Sequence, residues 1–154
     1  CPYIDELHSY KLKTKEELSK KYNFNNKKIW VIFTQHSVTT EHNESLEQVK
    51  VTIDALKNYP NLEVISFFSN TDAGGREIIE ENKKQSNFKI IPNMKSDDFA
   101  SLMKVSQFMI GNSSSGIREA PTFGLPAINI GTRQKGRLRA SNVIDVNHNK
   151  LLPN

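Results

Sequence analysis

Residues 111–137 read GNSSSGIREAPTFGLPAINIGTRQKGR and follow directly on the apolar triplet Phe108-Met109-Ile110. A strand over Phe108–Ile110 enters a turn of glycine, asparagine and serines, and a helix is predicted over Ser114–Phe123, kinked or shortened by Pro121, which removes one ladder bond. A second apolar strand, Ala127–Ile130, then leads into a loop carrying Arg133, Lys135 and Arg137. Strand, polar turn, helix, strand is the repeating unit of an α/β chain. The same order suits an anion resting on a helix N-terminus, where backbone N–H groups and the helix dipole favour negative charge. One stretch thus points to a parallel sheet and to a site for a phosphorylated small molecule.

Towards the N-terminus the alternation continues. Thr14 and Glu17 have capping-box spacing and open a short helix through Tyr22. Lys28–Thr34 (KIWVIFT) is an apolar, β-forming run and reads as a buried strand. Leu46, Val49, Ile53 and Leu56 recur at helical spacing within Asn43–Tyr59, and Val64–Phe68 repeats the strand pattern. Ala73–Lys84 is predicted helical, Phe88–Ile91 a strand, Ser96–Val105 a helix capped by its serine and followed by aspartates, and Asn142–Val146 a last short strand. Short connections between alternating elements predict one parallel sheet covered on both faces, a single domain over residues 1–154. In such sheets ligands bind beyond the carboxyl ends of the strands. The polar segments at those ends are Gln35-His36, Ser69–Gly75, Asn93, Gly111–Ser115 and Gly131–Arg133.

Each candidate has a plain structural reading beside the functional one. The Ser113–Ser115 hydroxyls can cap a helix or donate to phosphate. Glu119 is either a surface glutamate near a helix start or an acceptor for a vicinal diol such as a ribose. Arg133, directly after a strand, is either a solvated cation or a bidentate partner for a diphosphate. Arg137 and Arg139 are weaker candidates. His36 sits at a strand end, where imidazole can donate to phosphate or carry a proton; His8, His42 and His148 read as surface residues. Asn70 belongs to a turn that can also present a donor. Ser114 is followed by Ser115 rather than glycine, so G-x-S-x-G is absent, as are G-x-G-x-x-G and G-x-x-x-x-G-K-[ST]. Nothing in the pattern calls for a metal or a cofactor.

The 154 residues, 36% hydrophobic and 25% charged with a net charge of +4, describe a globular chain with a real core. No apolar run is long enough to span a bilayer, and residues 1–20 are too polar for a signal peptide. The basic residues lack the broad face and aromatic readers of a nucleic-acid binder. Cys1 is the single cysteine, which excludes an internal disulfide and suits a reducing, cytoplasmic setting. A start at Cys-Pro reads as a segment of a longer protein.

The motifs QHSVTTE (35–41), SNTDAGG (69–75), GNSSSGIREAPTFGLP (111–126) and NIGTRQKGR (129–137) together resemble the UDP-N-acetylglucosamine 2-epimerase family, especially its hydrolysing, sialic-acid-pathway branch. The resemblance runs from the N-terminus to about Val146. It implies a Rossmann-like α/β/α domain, the second of two in a glycosyltransferase-B-like arrangement, with the first domain absent here. It also implies UDP contacts at Asn70, Ser113, Ser114, Glu119 and Arg133, with His36 near the chemistry. The serines and Arg133 would take the diphosphate, and Glu119 the ribose. By the same resemblance the full protein forms dimers or tetramers, releases UDP through a glycal intermediate, and keeps its proton-transfer carboxylates on the other domain. A donor-binding half of a UDP-sugar glycosyltransferase and a non-catalytic nucleotide-sugar module remain alternatives.

Overall fold

Five of the six residues of β1 (Ile29–Thr34) are buried, because helices cover both faces of the strand. A computed structural model of the chain describes residues 2–38, 45–69 and 75–147. Around β1 the elements run α1 (Pro2–Ser9), α2 (Lys15–Tyr22), α3 (Ser45–Lys57), β2 (Leu62–Phe67), α4 (Gly75–Lys83) and β3 (Phe88–Ile91). They continue with α5 (Ser96–Val105), β4 (Phe108–Gly111), α6 (Ser115–Arg118), a 3-10 turn (Ala120–Phe123), β5 (Ala127–Ile130) and β6 (Val143–Val146). The six strands form one sheet in the order β3-β2-β1-β4-β5-β6, with every pairing parallel. This is a doubly wound order; the alternation predicts the parallel sheet, and the resemblance its Rossmann-like form.

Alternation along β1 divides the core into two layers, since successive strand side chains point to opposite faces. Val31 and Phe33 pack with Val49, Ile53 and Leu56 of α3 and Ile78 of α4. Trp30 and Ile32 pack on the other face with Leu18 of α2 and Leu102 and Met103 of α5. Each such side chain contributes roughly 1.5–3 kcal/mol when fully buried.

Local signals mostly hold. The capping box of α2 is formed, the Glu17 N–H donating to Thr14 Oγ1 at 3.2 Å and the Thr14 N–H to Glu17 Oε2 at 2.7 Å. Bounds for β3, α5 and β5 fall where the sequence put them, while β2 begins two residues earlier, at Leu62.

Two features differ from expectation, and a third follows the Pro121 signal. Helix α1, anchored by buried Leu7, has no counterpart in the sequence reading. Lys95, not Ser96, is the N-cap of α5, and it makes no side-chain capping bond. The helix expected over Ser114–Phe123 is split: α6 stops at Arg118 and a 3-10 turn resumes at Ala120. Pro121 explains the split, because it has no N–H to donate and its ring crowds the carbonyl four residues back.

Gly111 lets β4 close on β1. Its φ is +130°, and a Cβ there would lie 2.0 Å from the Thr34 carbonyl oxygen. Only glycine tolerates both the dihedral and the contact.

Candidate functional site

The sheet order reverses between β1 and β4, so the chain leaves these neighbouring strands in opposite directions and opens a crevice at their carboxyl ends. Asn112, the first residue beyond β4, sits in that crevice and is 2% exposed. Its N–H donates to the Thr34 carbonyl at 3.1 Å. Its side chain meets the backbone of His36 twice: Oδ1 accepts the His36 N–H at 2.7 Å, and Nδ2 donates to the His36 carbonyl at 2.8 Å. The Asn112 carbonyl accepts from Arg133 Nη1 at 3.2 Å and from Gln134 Nε2 at 2.8 Å. Segments following β1, β4 and β5 are therefore joined at one residue.

The serines after Asn112 divide their tasks. Ser113 Oγ accepts the Ser115 N–H at 3.3 Å, closing the turn locally. Ser114 is the N-cap of α6 in a helical conformation, and its side chain makes no capping bond. The plain reading of Ser114 as an ordinary cap is thus not what the chain does. Because α6 has a single turn, its dipole is short, and hydroxyls and nearby N–H groups carry more of any anion recognition than the longer expected helix would require.

Glu119 is not a surface glutamate: it is 7% exposed, at the break between α6 and the 3-10 turn. Burial pushes its carboxyl above the usual range, against hydrogen bonding from Ser115 and the nearby charge of Arg118, which pull it down. Its Oε2 has no hydrogen-bond partner among the described residues. A buried acceptor of this kind is suited to a ligand hydroxyl.

Beside the junction lies a cleft of about 330 Å³, lined by the hydroxyl residues Thr34, Ser96, Ser113 and Ser115, by Asn93, and by Phe67, Phe68, Met94 and Phe99. Phe67 and Phe99 meet edge to face, with centroids 5.2 Å apart. The cleft thus combines hydroxyls with apolar and aromatic side chains. His36 and Arg133, both half-buried, meet at Asn112. Asn70 lies outside the described residues. Arg137 is exposed, and Arg139 pairs with Asp145 at 2.7 Å rather than facing the crevice.

Residues 1–151 match the family described as UDP-N-acetylglucosamine 2-epimerase. The chain belongs to that family. Among curated members it is 37% identical over 142 residues to the GDP/UDP-N,N'-diacetylbacillosamine 2-epimerase (hydrolyzing) of Campylobacter jejuni, covering 89% of this chain and 37% of that protein. It is 34% identical over 149 residues to the UDP-N-acetylglucosamine 2-epimerase of Neisseria meningitidis, covering 96% of this chain and 39% of that protein. The chain therefore spans less than two fifths of the curated relatives it matches.

Among solved structures, that of a Neisseria meningitidis UDP-GlcNAc 2-epimerase bound to UDP-GlcNAc shares the fold, with a TM-score of 0.62 at 18% identity over 75% of this chain and 31% of that one. An Escherichia coli ADP-heptose heptosyltransferase II shares it as well, with a TM-score of 0.59 at 14% identity over 90% of this chain and 46% of that one. The epimerase fold seen here is thus one also used by glycosyltransferases. No helix among the described residues is long and apolar enough to cross a membrane.

Asn112, Gln134 and Phe99 escaped the sequence reading of this family member's site. Asn112 and Gln134 lie inside motifs that were singled out, GNSSSG and GTRQKGR, but nothing local distinguishes a buried amide from a turn residue. Phe99 carries a helical-core signature, and only its place in α5 sets it against the cleft.

Proposed function

We propose that this chain is the nucleotide-holding part of a hydrolysing 2-epimerase acting on a UDP-linked 2-acetamido sugar. The observation that carries the reading is the junction at Asn112, which draws His36, the serine turn and Arg133 together, next to a cleft lined by Ser113, Ser115 and aromatic side chains. Ser113, Ser114 and Arg133 hold the diphosphate, Glu119 accepts the ribose hydroxyls, Asn70 adds a further UDP contact, and the aromatic side chains of the cleft take the uracil ring.

In the reaction the anomeric C–O bond breaks and the sugar loses its C2 proton, giving UDP and a glycal. Water then adds to release free N-acetylmannosamine from UDP-N-acetylglucosamine. Negative charge grows on the diphosphate as the bond breaks, so preorganised donors at Ser113, Ser114 and Arg133 lower the barrier. His36 is close to that oxygen and donates to it or relays a proton. The carboxylates that handle the C2 proton lie on a preceding domain, and the whole enzyme is a cytoplasmic homo-oligomer of the sialic-acid-pathway branch. Family membership favours this over the donor half of a glycosyltransferase, whose likeness here is one of fold alone.

Two experiments test the reading. Calorimetric titration of this chain with UDP should saturate, and should fail with uridine, which lacks the diphosphate. By NMR, the full-length protein should convert UDP-N-acetylglucosamine to UDP and N-acetylmannosamine without an acceptor, while this chain alone should not. No heat of binding with UDP, or turnover by this chain alone, would count against the division of labour proposed.

A further inference from the structure

We infer that Asn112 is the positioning residue of the site, a side-chain amide that stands in for one more rung of the β1–β4 ladder and thereby fixes His36 against the serine turn; this rests on the UDP reading above. The last backbone pairing of these strands is Thr34 with Gly111. One more backbone bond follows, from the Asn112 N–H to the Thr34 carbonyl at 3.1 Å, and there the side chain takes over. The carboxamide of Asn112 presents an acceptor to the His36 N–H at 2.7 Å and a donor to the His36 carbonyl at 2.8 Å. That is the same donor and acceptor pair a neighbouring strand would offer.

Two bonds to one residue fix a plane, where a single bond would leave a hinge. The Asn112 backbone is fixed in its turn by Thr34 behind it and by the donors of Arg133 and Gln134 in front. Few side chains satisfy this geometry. Aspartate has the same shape and can still accept from the His36 N–H, but its second oxygen would face the His36 carbonyl across 2.8 Å with no proton between them. Serine and threonine reach with one group. Asn112 therefore acts on the substrate only through the residues it places.

The test is a double-mutant cycle in this chain, reading UDP affinity by calorimetry in wild type, Asn112→Asp, His36→Ala and the double variant, together with hydrogen exchange at the His36 amide by NMR. Asn112→Asp should weaken UDP binding about tenfold or more in the wild-type background, and by about twofold or less once His36 is alanine. Equal losses in both backgrounds would mean a merely structural role and overturn the inference. The His36 amide should exchange at least about tenfold faster in Asn112→Asp while the amides of β1 keep their protection; unchanged exchange also overturns it. If wild type binds no UDP, the nucleotide reading fails on its own, and the exchange measurement still decides whether the amide holds His36. If Asn112→Asp does not fold, Asn112→Ser, which keeps one neutral hydrogen-bonding group, carries the same comparisons.

Discussion

Replacing Asp98 with asparagine isolates the charge cluster that ties α2 to α5. The Asp98 side chain is fully buried and meets Lys13 Nζ at 2.7 Å, Lys21 Nζ at 2.5 Å and the Tyr22 hydroxyl at 2.6 Å. Burial alone would raise its pKa, but the three donors outweigh burial and hold the carboxyl at about 2, below its ordinary 3.8. A folded-state pKa below the unfolded one stabilises above pH 3.8, and the gain is lost as pH falls through about 2. At about 1.4 kcal/mol per unit this amounts to about 2 kcal/mol at neutral pH, with about half gone by pH 3. Lys13 and Lys21 stay partly exposed, at 28% and 43%, and rehydrate when the carboxylate is removed, so Asp98→Asn should cost about 2–3 kcal/mol rather than the 3–5 of a sealed pair. Urea unfolding of both proteins at pH 7 and pH 3 measures this. The gap should narrow by about 1 kcal/mol at the lower pH. A gap that is the same at both values would refute the reasoning. Phe99, the next residue on α5, lines the cleft.

Arg133→Ala should weaken UDP binding by about 1.5–3 kcal/mol, the loss of a charge-assisted hydrogen bond; unchanged affinity in calorimetry would remove the residue from the site. Glu119→Gln should raise the melting temperature of the free chain at pH 7 while weakening UDP, since burial penalises the charged form that the ribose needs. Because the folded-state pKa of Glu119 lies above its ordinary value, that stability gap should close as pH falls towards the carboxylate range, and a variant less stable than wild type at pH 7 would contradict the burial argument. Gly111→Ala should cost about 3 kcal/mol or more, given a Cβ 2.0 Å from the Thr34 oxygen at φ +130°. An urea midpoint close to that of wild type would show the β1–β4 register to be wrong.

Much of the fold is legible in residue order because the strands are buried on both faces and read as unbroken apolar runs. IWVIFT and AINI needed no tertiary information. Helix α1 was not legible, since PYIDELHS is only eight residues long and the spacing of Ile4 and Leu7 covers a single turn. Asp98 has the look of a first-turn acid on a solvated helix; it is buried because Lys13 and Lys21 approach it from a distant segment. Glu119 was ambiguous for a similar reason, as its burial at the break between α6 and the 3-10 turn is set by tertiary packing. His36, the serines and Arg133 could be assigned to one edge from strand ends alone. What joins them could not, because the Asn112 amide finds its partner only after the sheet has formed.

The junction also bears on how the chain folds. Asn112 and His36 are 76 residues apart in sequence, whereas the pairings within β1–β3 and within β4–β6 are far more local. The β1–β4 seam is thus the long-range contact of the sheet, where closing a large loop carries its entropic cost. Each half can gather its own strands and helices first, and the crevice does not exist until the two halves meet. On the function proposed above, nucleotide binding is linked to the docking of the halves. A ligand at one hundred times its Kd would hold the seam closed by about 2.7 kcal/mol. If the seam closes late, that stabilisation will appear as slower unfolding rather than faster folding.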